Sequence, residues 1–112
     1  MASFFSGAFT LYAVILRTTV GDLNEEYSEA LKRMKTLAFE QYKCLEFYSM
    51  MDGSRRIAIS YWKNEDDILQ WKNNTEHRQI QEKAKNSWYT SYNIQIVDIK
   101  REYSYTLPNK QS

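Results

Sequence analysis

The residues of this chain that could do chemistry are concentrated between positions 61 and 89. This segment holds the single histidine, His77, and all three tryptophans, Trp62, Trp71 and Trp88. An imidazole titrates near neutral pH and can exchange a proton with a phenol, while large aromatic rings can stack on flat organic molecules. The segment therefore predicts a pocket for an aromatic small molecule beside one titratable group.

His77 is the candidate catalytic residue. It lies on a helical stripe with Ile80, Gln81, Ala84 and Trp88, at spacings of three, four, seven and eleven residues, so we expect it to face inward. There it could act as an acid, a base or an orienting hydrogen-bond donor. In the alternative interpretation its ring nitrogens bond to the backbone or to nearby polar side chains, and the residue only fixes the start of its helix.

Six further residues are candidates for substrate binding: Trp71, Trp62, Trp88, Tyr61, Tyr92 and Gln81. Trp71 is expected between two helices, where a pocket would open. Trp62 and Trp88 are also typical of core packing, because large rings at helical spacing are usually buried. Tyr61 and Tyr92 could direct hydroxyl groups into the pocket.

Composition favours one domain and argues against binding to nucleic acid. A chain of 112 residues with 43% hydrophobic residues predicts a single domain over residues 1–112, with its core from about 8 to 105 and a polar tail at 106–112. Lysine and arginine number 15 against 14 acidic residues, and the basic residues form no continuous stripe. Nucleic acid is therefore not an expected partner.

The same sequence lacks the features of exported, membrane and metal-binding proteins. The N-terminus has no basic start of a signal peptide and no stretch is apolar enough for a membrane span, so we expect a cytoplasmic protein with no membrane partner. Cys44 is the only cysteine, which excludes an internal disulfide and a multi-cysteine metal site. The run Glu65, Asp66 and Asp67 is typical of an acidic first helical turn, so we expect no metal ion.

The first half of the chain predicts a strand, a helix and a hairpin. Residues 8–18 are apolar on both alternating faces, which indicates a strand covered on both sides. Asp22 and Glu25 resemble a capping box, and an apolar period of three and four then predicts a helix to about residue 39. Residues 44–50 and 55–62 flank an Asp-Gly turn and predict an antiparallel hairpin.

The second half predicts two helices and a last strand. The helices span about 65–72 and 76–91, and the strand spans 92–105. The resulting order predicts an α+β fold of the ferredoxin-like split β-α-β type, an antiparallel sheet with its helices on one face. Because the other face would also be apolar, we expect two copies to form a homodimer through this open sheet face.

A spaced motif gives the chain a family resemblance. The pattern ISYW-x8-W-x5-H-x3-Q-x6-WY-x2-Y begins at Ile59, ends at Tyr92 and is followed by IVDIKREY. It resembles the small single-domain members of the antibiotic biosynthesis monooxygenase family, over residues of about 9 to 105. This resemblance implies a dimeric α/β barrel. The chain departs from the family at residues 41–44, where many members have a turn containing proline and glycine.

The resemblance implies two kinds of chemistry, and the residues favour one of them. One group of the family oxidises activated phenols with molecular oxygen and needs no cofactor. The heme-degrading group binds iron through a histidine ten residues after the second tryptophan of the W-x8-W pair and uses an asparagine of the first strand. Here that position is Gln81, and the segment LYAVILR contains no asparagine. We therefore expect no cofactor.

The function expected from the sequence is that of a cofactor-independent monooxygenase. It would oxidise an electron-rich aromatic or quinol-type molecule in a pocket between helices and sheet, with His77 as acid, base or orienting group and Trp71 as stacking wall. A first alternative is a non-catalytic dimer that binds a small molecule in stress or metabolite sensing. A second is a structural dimer whose pocket is filled by its own side chains.

Overall fold

The computed structural model describes residues 2–5, 11–21 and 24–108. Residues 8–10 of the predicted first strand, Asp22 of the predicted capping box and residues 109–112 of the predicted tail lie outside the described residues. The strands are β1 (Ala2–Phe5), β2 (Leu11–Val20), β3 (Glu46–Asp52), β4 (Arg55–Trp62), β5 (Tyr89–Ile99) and β6 (Glu102–Tyr105). The helices are α1 (Glu25–Tyr42), α2 (Glu65–Asn73) and α3 (Thr75–Lys83), and a π-helical turn, Ala84–Trp88, follows α3.

Four of the strands form one antiparallel sheet in the order β3-β4-β2-β5. The helices pack on one face of this sheet, and the sheet is open rather than closed into a barrel within the described chain. The predicted α+β, ferredoxin-like class is therefore confirmed. We call the face under the helices the inner face and the opposite face the outer face.

The predicted last strand is two strands. Strand β5 pairs with β2 along its length, and the last pair is Ile99 of β5 with Leu11, the first residue of β2. After Lys100 and Arg101 the chain continues as β6, which pairs with β1 in a separate two-stranded sheet. The prediction of a single strand over 92–105 was therefore wrong, because its first part pairs with β2 and its second part pairs with β1.

The predicted hairpin is confirmed. Asp52 pairs with Arg55, so the loop between β3 and β4 is Gly53-Ser54. Gly53 has a φ of 62°, which a residue without a side chain adopts at low cost.

Helix α1 begins and ends at other residues than predicted. Its N-cap is Asn24, whose side-chain oxygen accepts the Tyr27 N–H at 2.8 Å, because asparagine caps a helix as well as aspartate does. Its last residue is Tyr42 rather than a residue near 39, and Lys43 then adopts left-handed backbone angles. The Cys44 N–H donates to the Ala38 carbonyl at 3.0 Å, which closes the helix end.

The second predicted helix of the pair is shorter than its pattern indicated. Helix α3 ends at Lys83, and Tyr89 already belongs to β5, where it pairs with Val20. A helix continuing to residue 91 was wrong because the aromatic and β-branched residues after Trp88 pair with β2 instead. Helix α2 is capped by Asn64, whose side-chain oxygen accepts the Asp67 N–H at 2.8 Å.

Two groups of buried side chains lie between the sheet and the helices. The central cluster consists of Val14, Met34, Leu37, Ala38, Cys44, Trp62, Ile68 and Trp71. The second cluster consists of Val20, Tyr27, Ala84 and Trp88. Burial raises the pKa of the Cys44 thiol to about 11, so this cysteine is a neutral buried side chain. No helix among the described residues is long and apolar enough to cross a membrane.

Candidate functional site

A cavity of about 340 Å³, which we call the helix-side cavity, lies between the inner face of the sheet and the helices. Its floor includes Val14, Ala58 and Ile94, and its roof includes Met34 and Ile80. Residues of the central and second clusters both contribute to its walls, so the cavity occupies the space between them. Its volume falls within the range of small-molecule binding sites in proteins.

His77 lies in the wall of the helix-side cavity and is 6% exposed. Its Nδ1 atom is buried and has no hydrogen-bond partner among the described residues. Burial, with a smaller contribution from the nearby charge of Lys72, lowers the pKa of His77 to about 4. At neutral pH the imidazole is therefore uncharged and can exchange hydrogen bonds with a ligand, but it is a weak base.

Trp71 packs directly against this imidazole. The ring centroids of Trp71 and His77 lie 4.5 Å apart at an interplanar angle of 67°, an edge-on contact. The indole Nε1 of Trp71 donates to the Met34 carbonyl at 3.3 Å, and its ring lies 5.1 Å from that of Trp62. Trp71 is thus held by the core on one side and lines the helix-side cavity on the other.

Asn74 determines where the helix that carries His77 begins. Its side-chain oxygen accepts the His77 backbone N–H at 3.0 Å, and its side-chain nitrogen donates to the Tyr42 hydroxyl at 3.0 Å. These two bonds join the start of α3 to the end of α1. The backbone of His77, rather than its ring, is the group that this neighbouring asparagine satisfies.

Gln81 and Tyr92 also line the helix-side cavity. Gln81 lies one helical turn after His77 on α3, and Tyr92 lies on the inner face of β5, opposite Thr18 of β2. Four of the seven predicted site residues, His77, Trp71, Gln81 and Tyr92, are thus brought together around one cavity.

The other three predicted site residues lie elsewhere. Trp62 is 0% exposed within the central cluster, and Trp88 packs edge-on against Tyr27 in the second cluster, with centroids 5.2 Å apart. Tyr61 lies on the outer face, because side chains alternate along β4 and its neighbour Trp62 occupies the inner face. Trp62, Trp88 and Tyr61 therefore do not line the helix-side cavity, and a role for them in binding stays a prediction.

Arg56 is a cavity residue that sequence reasoning missed. It lies on the inner face of β4, is 5% exposed and lines the helix-side cavity. Its Nε donates to the Ser49 hydroxyl at 2.9 Å, whereas its Nη1 is buried without a partner among the described residues. The sequence pattern places Arg56 on the same face of β4 as Ala58 and Ser60, but it does not tell which face the helices cover.

Tyr89 is the second missed residue. It lines the helix-side cavity, and its ring centroid lies 6.1 Å from that of Tyr27 and 6.3 Å from that of Tyr92. Burial and the neighbouring Tyr27 raise the pKa of Tyr89, while the charge of Arg56 acts in the opposite direction. Tyr89 therefore keeps its hydroxyl proton and can donate a hydrogen bond.

The wall of the helix-side cavity is positively charged. Among the described residues it includes four cationic side chains and one carboxylate, Arg56, Lys72, Arg78, Lys85 and Glu82. The formal net charge of the whole chain is only +1, so the positive charge is concentrated here rather than spread evenly. Such a wall attracts anionic ligands.

Within the described residues, no group of three or more histidine, cysteine, aspartate or glutamate side chains could hold a metal ion. Gln81, which stands at the position of the iron ligand implied by the resemblance to the heme-degrading group, lines the cavity. An amide is a poor ligand for heme iron compared with imidazole.

Comparison with known proteins identifies one related sequence and many similar structures. No protein-family model matches the chain. It is 34% identical over 92 residues to the uncharacterized protein YqjZ of Bacillus subtilis strain 168, an alignment that covers 81% of each chain.

Similar solved structures include a cofactor-independent oxygenase, SnoaB, from Streptomyces nogalater. It has a TM-score of 0.68 and 13% identity, over 88% of this chain and 98% of that chain. A proposed antibiotic biosynthesis monooxygenase from Nitrosomonas europaea also has a TM-score of 0.68, with 16% identity over 83% of this chain and 91% of the other. These identities show a shared fold, and the resemblance to the antibiotic biosynthesis monooxygenases is confirmed at that level.

Proposed function

We propose that this chain, which belongs to the same family as YqjZ of Bacillus subtilis, is a cofactor-independent monooxygenase that oxidises an electron-rich aromatic or quinol-type molecule. The observation that carries the proposal is the helix-side cavity with a neutral imidazole held edge-on against Trp71. The shared fold with an oxygenase that needs no cofactor supports it. Substrate would bind in this cavity.

Several wall residues have a physical role in this proposal. Trp71 and Tyr92 offer aromatic surface to a flat ring, and apolar side chains such as Ile80 and Ile94 exclude water. Because the pKa of His77 is about 4, we assign it the role of orienting a substrate hydroxyl through a hydrogen bond rather than that of a strong base. In an anthrone, the oxidised methylene becomes a carbonyl and the second oxygen atom leaves as water.

Oxygen uptake tests this function. The pure, metal-stripped protein is mixed with a panel of anthrones and dihydroxynaphthalenes, beside His77→Gln, Gln79→Ala and a control without protein. We expect uptake above the control, a fall of about tenfold or more in His77→Gln because an orienting hydrogen bond is lost, and little change in Gln79→Ala. Gln79 is the matched control because it lies on α3 and is exposed.

Two outcomes would contradict the proposal. Oxygen uptake that never exceeds the rate without protein would show that the protein does not oxygenate these substrates. Oxygen uptake that is unchanged in His77→Gln would still support oxygenation but would contradict the orienting role of His77.

A second candidate function is non-catalytic binding of a small molecule, as in stress or metabolite sensing. The observation that favours it is the low pKa of His77, which leaves the imidazole a weak base for chemistry at neutral pH. Binding of aromatic ligands without oxygen uptake would select this alternative. A cavity of about 340 Å³ gives no support to the third expectation, a pocket filled by its own side chains.

We also propose that the active form is a homodimer, a dimeric α/β barrel joined through the outer face. This face carries exposed apolar side chains, including Tyr48, Met50 and Ile57, and a shallow groove lined in part by Leu11 and Tyr61. The Cα radius of gyration is 16.2 Å, whereas a compact chain of this length has about 13 Å. A second copy would cover the apolar face and make the assembly more compact.

The remaining expectations stay predictions. A single domain over residues 1–112 is one of them, and a cytoplasmic location is another. The free thiol of Cys44 supports the second, because unpaired cysteines are common in reducing compartments.

A further inference from the structure

The charged part of the helix-side cavity indicates which ligands it takes. We propose that the cavity binds aromatic carboxylates and that Arg56 receives the carboxylate. The inference rests on the proposed function in taking this cavity as the substrate site, and it adds the chemical class of the substrate.

The first argument is the unfinished hydrogen bonding of Arg56. The side chain is 5% exposed, and Ser49 accepts from Nε at 2.9 Å, which holds the guanidinium in place. Its Nη1 is buried and makes no hydrogen bond to any described residue, although the Tyr89 hydroxyl lies beside the guanidinium. A buried guanidinium without a counter-charge is costly, and no carboxylate side chain in the described part of the chain bonds to it. A ligand carboxylate would provide both the acceptor and the opposite charge.

The second argument is the surrounding charge. Lys72, Arg78 and Lys85 line the same cavity, and Glu82 is the one carboxylate among its described wall residues. These cations would attract an anion toward the cavity, and Arg56 would be the group that binds it inside. A neutral phenol would make no use of this arrangement.

The third argument is the distance within the cavity between the Arg56 guanidinium and the Trp71 ring. Arg56 and Ser60 share the inner face of β4 four residues apart, which places their Cα atoms about 13 Å from each other. Ser60 pairs with Phe47, and the Phe47 ring lies 6.2 Å from that of Trp71. Trp71 and Arg56 therefore line the cavity at separate positions, so a fused-ring acid could lie against the indole and extend its carboxylate to the guanidinium.

The buried hydrogen-bond donors around Arg56 favour a carboxylate over a phosphate. A phosphate dianion requires several donors close together, whereas Arg56 is the only buried cation of the described wall and has the Tyr89 hydroxyl beside it. Lys72, Arg78 and Lys85 are less buried and lie nearer the solvent. A carboxylate with one negative charge matches this smaller set of donors.

Paired probes test the proposal. Binding of naphthalene-2-carboxylate and its neutral analogue naphthalene-2-carboxamide is measured by calorimetry or tryptophan fluorescence under nitrogen. We expect the native chain to bind the carboxylate about tenfold more tightly than the amide, since a charge-assisted bond is gained. Because no oxygen is consumed, failure of this test is separate from failure of the oxygenase proposal.

Matched variants assign the preference to one arginine. Arg56→Met should lose the preference for the carboxylate and keep binding the amide, and its melting temperature should not fall, because an unpaired buried charge is removed. Arg55→Met, which changes the exposed neighbour on the outer face, should keep the preference. If Arg56→Met does not fold, Ser49→Ala replaces it and should weaken the preference, because Nε loses its acceptor.

Three results would overturn the proposal. They are equal affinity of the native chain for both probes, no binding of the carboxylate at millimolar concentration, and a preference that survives in Arg56→Met or, where that variant does not fold, in Ser49→Ala.

Discussion

At the scale of single residues, the helix-side cavity is set apart by the electrostatics of two buried side chains. His77 is kept neutral, because burial and the Lys72 charge both oppose a proton on its ring. Arg56 contributes a positive charge to the same cavity. One side chain offers hydrogen bonds without charge and the other offers charge, so the two would orient different groups of one ligand.

The neutral state of His77 makes stability depend on pH. Its pKa is about 4 in the folded chain and near 6.5 when unfolded, so between these values the unfolded chain binds the extra proton. We therefore expect the free energy of unfolding to fall as pH decreases from about 6.5 to 4, by up to about 3 kcal/mol. Urea unfolding at pH 7 and pH 4.5 measures this loss.

His77→Gln serves as the reference for this pH effect, because other groups also titrate in the range. The difference between the native chain and this variant isolates the imidazole, since His77 is the chain's single histidine. An NMR titration of its ring should give a midpoint near 4. A midpoint near 6.5 would contradict the burial of this ring.

At the scale of helices and strands, local hydrogen bonds place the site residues. The alternation of β4 brings Arg56 and Ser60 to the inner face and Tyr61 to the outer face. The cap at Asn74 starts α3 at a point where His77 meets Trp71, and its second bond joins α3 to Tyr42. The geometry of the cavity therefore depends on a helix boundary as well as on the sheet.

The two adjacent asparagines between α2 and α3 allow a matched test of this boundary. Asn74→Ala should lower the free energy of unfolding by about 1 kcal/mol, because a helix cap and the bond to Tyr42 are lost. Asn73→Ala should change it by less than about 0.5 kcal/mol, since Asn73 is exposed at the end of α2. Urea unfolding of both variants is the measurement.

Equal destabilisation in the two asparagine variants would contradict a special role of Asn74. The NMR signal of the His77 ring provides a second observable. It should shift in Asn74→Ala and stay unchanged in Asn73→Ala, because only the first change frees the start of α3.

At the scale of the whole molecule, the two faces of the sheet differ. The inner face is covered by helices, whereas the outer face exposes apolar side chains such as Met50, which is 69% exposed. Strands β1 and β6 form a separate two-stranded sheet, and the longest dimension of the described chain is 46 Å. An apolar sheet face of this kind is typical of a surface that binds a second protein chain.

A charge on the outer face should separate the proposed dimer. We expect light scattering to give the native chain twice its mass of 13.4 kDa at micromolar concentration, and Ile57→Glu to give the single mass. The carboxylate would be buried in the interface without a partner. Leu69→Glu is the control, because Leu69 is an exposed apolar residue of α2, 55% exposed.

A measured mass of 13.4 kDa for the native chain at these concentrations would contradict the proposed homodimer. Dissociation by Leu69→Glu as well would show that the interface involves the helices and not the outer face alone.

The sequence alone determined the sheet, most of its elements and part of the site. Apolar period and turn residues are local properties, so the hairpin at Gly53 and the ferredoxin-like class could both be predicted. The inward direction of His77 and Gln81 followed from helical spacing in the same way. The predicted end of α3 near 91 is misplaced because pairing of β5 with β2 overrides the helical pattern there.

Only the tertiary structure decided which face of each strand the helices would cover. Alternation along β4 places Arg56 and Tyr61 on opposite faces of the sheet, but it does not determine which of the two faces the helices cover. A charged residue is ordinarily expected at the surface, so a buried Arg56 could be found only once Ser49 and Tyr89 were placed around it from distant parts of the chain. The physical reason is that periodicity is set by neighbours along the chain, whereas burial and charge pairing are set by neighbours in space.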